Sequence, residues 1–147
     1  MFRRVLFWLI GAVSLALILP WGVYWLGLSR ISHYPIPLSN ALSTDRREWV
    51  WHLAKASDNP VIAPLTPFSY VYDIFVRQQG NAEEINRVVS WVATDHLYDQ
   101  SPGQRMLWRH LSGAALTIWL SRNWTDQQIT AAAFFALQRR GEIYGGD

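Results

Sequence analysis

The residues best spaced to do chemistry are Asp45, Glu48 and His52. At i, i+3 and i+7 they share one side of a helix. A carboxyl beside Trp49 and Trp51 that lost its water would hold its proton longer, which suits a general acid or base near neutral pH. Arg46, Arg47 and Lys55 are close enough in sequence to pair with these acids and favour the charged form. An ordinary amphipathic helix therefore accounts for the same pattern. The remaining ionisable groups offer less. Asp95, His96 and Asp99 fall at a helix end just before a loop and read as solvated helix-end charges. His110 lies on an apolar helix face, where a hydrogen-bonded core histidine is the ordinary role. No familiar metal-ligand spacing occurs and no serine sits on a nucleophile elbow, so no metal or cofactor is expected. The chain has no cysteine, which excludes disulfides and thiolate chemistry. Asn123-Trp124-Thr125 is formally a glycosylation sequon, but helix capping explains both Asn123 and Thr125.

The element that must position these residues comes first in the chain. Val5 to Leu28 carries no Asp, Glu, Lys, Arg or His. As a helix it would reach roughly 36 Å, enough to cross a hydrocarbon core of about 30 Å with some tilt. A helix satisfies its own backbone in lipid. Pro20 removes one of those hydrogen bonds and predicts a kink in the outer half. Trp8 near one end, and Trp21, Tyr24 and Trp25 near the other, fit the aromatic belts of the two interfaces. A cleaved signal peptide would also open on Arg3, Arg4 and an apolar run, but with a shorter run and a small-x-small site. Arg3 and Arg4 predict a cytoplasmic amino terminus in the inner (plasma) membrane, with residues 29–147 exported.

The whole chain carries 13 basic and 11 acidic residues, and Arg3 and Arg4 account for the excess. The exported part is balanced, so it has no basic stripe and no nucleic-acid partner is expected. Tryptophan is abundant, at 9 residues. Those of the exported part read as core or membrane-surface contacts, with a sugar-stacking platform as the sharper alternative.

Three segments follow from these patterns: cytoplasmic tip and transmembrane anchor 1–28, extended linker 29–42, and an α-helical exported domain 43–147. The linker holds Pro35 and Pro37 and lacks helical periodicity. In the domain, a helix starting near Asp45 with Ser43 or Thr44 as cap places Trp49, His52, Leu53 and Ala56 on one apolar stripe. Thr66-Pro67 opens the next, with Phe68, Val71, Tyr72 and Phe75 inward and Gly80 at its end. Asn81 and Glu84 have capping-box spacing, ahead of Ile85, Val88, Val89 and Val92. Ser101-Pro102-Gly103-Gln104 starts a fourth helix, with Leu107, His110, Leu111, Ala114, Ala115 and Ile118 on one face. Ser112-Gly113-Ala114-Ala115 has so little bulk that another helix can approach closely. Thr125 and Gln128 make a further capping box for a helix lined by Ile129, Ala132, Ala133, Ala136 and Leu137 and closed by Gly141. The fold class is all-α, one transmembrane helix followed by about five helices.

Gly113 to Asn123, GAALTIWLSRN, resembles the GSTITQQLAKN stretch of the peptidoglycan glycosyltransferases, the lysozyme-like transglycosylase domain of penicillin-binding proteins. Gly113, Thr117, Leu120 and Asn123 match outright, and Arg122 stands at the family's lysine. Asp45-Arg46-Arg47 resembles the family's E-D-R-R segment, with Thr44 at the place of its catalytic glutamate. The resemblance implies a lysozyme-like fold. It also implies a substrate, lipid-linked peptidoglycan precursor or glycan, held by Arg46, Arg47, Thr117, Arg122 and Asn123. Glu48, one helical turn after Thr44, would be the substitute catalytic base, with the arginines neutralising a pyrophosphate. The expected function is a membrane-anchored envelope protein with a reduced transglycosylase-like domain that binds such a precursor, with processing of it as the lesser alternative. The alternative is a non-catalytic accessory subunit that docks another envelope membrane protein through its anchor and Trp-rich helical faces.

Overall fold

Helix signals dominate the chain after the apolar run, and helices are what they form. The computed structural model describes residues 2–38, 42–56, 60–75, 81–100 and 105–141. Among these residues there are six α-helices and no strand. They are α1 (Phe2–Leu28), α2 (Thr44–Ala54), α3 (Pro67–Phe75), α4 (Asn81–Gln100), α5 (Met106–Asn123) and α6 (Asp126–Arg139). The expected stop at Gly80, the start signal at 101–104 and the side chain of Asn81 lie outside the described residues.

α1 is long and apolar enough to cross a membrane, and it runs unbroken through Pro20. Its side chains from Val5 to Leu19 are exposed. The last two turns differ: Tyr24, Gly27 and Leu28 are buried against α5. A Cβ at position 27 would lie 2.6 Å from the Leu111 carbonyl oxygen and 2.7 Å from the Ala115 Cβ. Glycine is the residue that lets the two backbones come this close. Ser112 Oγ donates a 3.2 Å hydrogen bond to the Gly27 carbonyl across the same seam. Beyond it the Arg30 guanidinium lies over the Trp108 ring, 4.3 Å from its centroid. Arg30 beside Trp108 and Gly27 between Leu111 and Ala115 mean that the two helices run antiparallel. The small-residue stretch 112–115 thus receives a neighbouring helix, and that helix is the end of the apolar run itself.

Behind this seam α4 lies across α5 and α6, and α2 closes the far side of α6. Val88, Val89, Val92, Ala93 and Leu97 of α4 are buried, as the spacing of α4 predicts for the three valines. α6 is enclosed on most sides, with Ile129 to Phe134, Ala136 and Leu137 buried. Its start carries the expected capping box. Gln128 N–H donates to Thr125 Oγ1 at 3.3 Å, and Thr125 N–H to Gln128 Oε1 at 2.9 Å. Gly141 follows it at a φ of 73°. α3 is capped by an exchange in which Ser69 N–H donates to Thr66 Oγ1 at 3.0 Å and Thr66 N–H to Ser69 Oγ at 2.8 Å.

Three expected faces are corrected. α2 buries Val50, Trp51 and Ala54, leaving His52 and Leu53 exposed, because the side of α2 that meets α4 and α6 is the one that carries Val50, Trp51 and Ala54. α3 turns Phe68, Val71 and Tyr72 outward and buries Pro67, with Tyr70 half-buried. α5 begins at Met106, and its first turns, including Leu107 and His110, are exposed. His110 is therefore not a core histidine. The buried set of α5 starts at Ser112, where α1 and α4 close around it.

Replacing Gly27 by Ala should lower stability by roughly 1–3 kcal/mol, since the new methyl meets backbone rather than a yielding side chain. Gly22→Ala is the control, because a Cβ there meets nothing within 4 Å. Thermal unfolding of the detergent-solubilised chain checks this: the midpoint falls for Gly27→Ala and does not fall for Gly22→Ala.

Candidate functional site

The fold distributes the chemistry-bearing residues differently from their spacing in sequence. Asp45, Glu48 and His52 lie together on the exposed face of α2. Glu48 makes no hydrogen bond or ion pair among the described residues, and Trp51 is buried on another face of the helix. Arg46 is exposed, with its guanidinium 5.4 Å from the centroid of the Phe134 ring. Arg47 is half-buried beside a 60 Å³ recess shared with Leu42, Gln127 and Thr130. Thr117 is buried in the middle of α5, where its hydroxyl donates to the Gly113 carbonyl at 2.8 Å. Arg122 is exposed in the last turn of α5, within electrostatic reach of Tyr24. The Asn123 amide donates to the Trp119 carbonyl at 2.8 Å, as a helix stop does. Among the described residues these side chains are not gathered into one of the principal cavities.

A different set is gathered into one place. Residues 31–38 leave α1 without helix and lie across α4 and α5, pinned at several points. Ile31 is buried. Ser32 N–H donates to Gln100 Oε1 at 3.2 Å, and Gln100 Nε2 donates to the His33 carbonyl at 2.6 Å. His96 Nε2 lies 2.8 Å from the same oxygen, and the His33 and His96 rings meet edge to face at 5.3 Å. Tyr34 then stacks on Trp119 at 4.5 Å. Between this strap, α4 and α6 lies a cleft of about 310 Å³. His33, Asp95, His96, Asp99 and Arg139 form its polar part, and Val92, Ala132 and Phe135 belong to its apolar part.

Asp95 and Arg139 are an ion pair across the cleft wall. That pairing holds the Arg139 guanidinium above the usual arginine range, partly opposed by burial. Asp95 is 12% exposed, so it is not the solvated helix-end charge that its position in sequence implies. Among the described residues no group of three or more His, Asp or Glu could hold a metal ion. The cleft has an apolar floor with histidine, carboxylate and guanidinium at its edge, which is the form of a recess for a partner's side chain or a small polar ligand.

Several tryptophans are partnered within the chain as well. Trp51 and Trp124 are buried, Trp119 is stacked by Tyr34, and Trp108 lies under Arg30. Trp49 meets Phe134 edge-on at 6.4 Å. Stacking sites for a sugar are thus taken up by the chain's own residues at these positions. Comparison with protein-family models, with curated proteins and with solved structures found no match to this chain.

Gln100 clamps the strap with both ends of one amide, so Gln100→Ala should release it at a cost of about 1 kcal/mol for bonds this exposed. Amide exchange at Ser32 and tryptic cleavage after Arg30 should both accelerate. Unchanged exchange at Ser32 would show that the strap is held by Ile31 and Tyr34 without the amide.

Proposed function

We propose that this chain is a single-pass inner-membrane protein, amino terminus in the cytoplasm, whose exported helical domain is a non-catalytic docking subunit for another envelope membrane protein. The observation that carries the reading is how the polar residues are grouped. His33, Asp95, His96, Asp99 and Arg139 share one cleft with an apolar floor, whereas Glu48 stands in open solvent. A general base needs a bound substrate within hydrogen-bond reach, and Glu48 lines none of the principal recesses among the described residues. A cleft with a charged rim and apolar floor suits a partner's surface.

Retention of α1 as an anchor is supported by the seam at Gly27. A leader removed after export would take Tyr24, Gly27 and Leu28 out of the buried interior. The amino-terminal Arg3 and Arg4 favour the cytoplasmic placement of that end.

Arg122 favours a second reading. It is exposed at the end of α5 that lies beside Tyr24, hence near the outer aromatic belt of the span. A guanidinium there suits an anionic headgroup, and the transglycosylase resemblance makes lipid-linked peptidoglycan precursor the class to test. In this reading the domain binds the precursor and does not polymerise it.

The full-length protein, incubated in detergent with lipid-linked peptidoglycan precursor, should form no glycan polymer, and Glu48→Gln should change nothing. A photo-cross-linking residue in place of Ile36, on the cleft rim and 86% exposed, should give a discrete adduct with an envelope membrane protein. Asp99→Lys should abolish that adduct. Saturable precursor binding lost in Arg122→Ala would favour the second reading. Polymer formation lost in Glu48→Gln would overturn both.

A further inference from the structure

We propose that α3 is a second membrane contact, a short helix lying in the outer-leaflet interface beside α1, with lipid acyl chains filling the groove between them. The inference rests on the reading of α1 as a retained membrane span. Its starting point is the set of α3 side chains that the fold leaves uncovered. Phe68, Val71, Tyr72 and Ile74 are 40–54% exposed on one nine-residue helix. In water this is an unusual amount of apolar surface for so short an element. The charge on α3, Asp73, is half-buried and accepts a hydrogen bond from the Asn86 amide at 3.3 Å, so it does not face outward as a free anion.

The location of α3 identifies what covers this surface. α3 packs beside α1, and a groove of about 300 Å³ runs between them over the small-residue face of α5. Leu19 and Val23 of α1 form one wall, Tyr70, Val71 and Ile74 of α3 the other, and Ala114 of α5 lies in the floor. Leu19 and Val23 belong to the apolar run and flank Trp21, at the level where the outer aromatic belt begins. The groove is therefore continuous with the lipid-facing surface of the span, at the depth where acyl chains give way to headgroups. Its lining is almost wholly apolar. The polar tip within reach, the Tyr70 hydroxyl, is paired with Thr117 and so is not left open to a polar ligand. A groove without free hydrogen-bonding groups, opening sideways into a bilayer, fits a lipid chain. α3 and α1 together would then fix the domain at two points on the membrane plane.

The chain's lack of cysteine makes the test direct. Single cysteines at Val71, Tyr72 and Ile74 carry a nitroxide label in the full-length protein, one copy per phosphatidylcholine–phosphatidylglycerol nanodisc. Leu15→Cys is the span control and Thr94→Cys, exposed on α4, the water control. Collision rates with oxygen, which partitions into hydrocarbon, and with a water-soluble nickel chelate are then compared. The oxygen-to-nickel ratio at Val71 and Ile74 should resemble that at Leu15 and exceed that at Thr94 several-fold. Nickel access at Val71, Tyr72 and Ile74 beside a lipid-exposed Leu15 would overturn the inference and leave the anchor standing. Nickel access at Leu15 would remove the anchor reading and this inference with it. Low collision with both reagents at Val71 and Ile74 would mean that protein covers the groove, which also overturns it.

Discussion

The close approach of α1 to α5 at Gly27 is the constraint on which the rest of the structure depends. Backbone meets backbone there, and no L side chain fits between Gly27 and Leu111 without displacing one helix. Glycine inside a helix costs roughly 1 kcal/mol relative to alanine. That cost is offset by burying Tyr24 and Leu28, by the Ser112 hydrogen bond and by dispersion contacts along the seam. Because the helices are antiparallel and touch over several turns, the direction in which the apolar helix enters the domain is fixed.

Several features follow from that fixed direction. Residues 31–38 do not act as slack between α1 and the domain. They fold back over α4 and α5, and this return brings His33 against His96 and forms one wall of the cleft. α3 is left beside the apolar helix with its hydrophobic side outward, which is intelligible if that side does not face water. The cleft, the exposed face of α3 and the arginine at the end of α5 are thereby held at set distances from one another. The docking role proposed above requires such fixed presentation more than it requires a reactive group.

How much of this is legible in the sequence depends on whether the signal is local. The apolar run, the all-helical class, the Thr66 and Thr125 caps, the valine stripe of α4 and the accommodating stretch 112–115 are all encoded within a few residues, and each appears in the structure. The identity of the helix received by 112–115 is not local. Gly27 lies far from it in sequence and inside a segment whose composition speaks of lipid. The buried faces of α2 and α3 differ from the expected ones for a related reason. Trp49 and Trp51 on α2, or Phe68 and Tyr70 on α3, are equally apolar, and the choice between them is made by what packs opposite. Asp95 and His96 have the composition of a solvated helix end. Arg139, from α6, and His33, from the strap, turn them into a cleft, and neither contact leaves a trace in local spacing. The α5 resemblance names Thr117 and Asn123 as substrate contacts, whereas in the fold both side chains bond to their own helix.

The central claim is that the end of the apolar helix is a structural part of the domain rather than a tether. Equilibrium unfolding of residues 29–147, followed by far-ultraviolet circular dichroism and tryptophan fluorescence, tests it most directly. Without Tyr24, Gly27 and Leu28 the fragment loses about 2 kcal/mol for each large side chain that was buried, and the α5 face opens to water. Against a total stability on the order of 5–15 kcal/mol, this should leave a fragment that is helical in part but lacks a cooperative transition. A cooperative transition like that of the full-length chain in detergent would contradict the account, because the domain would then be complete without the apolar helix.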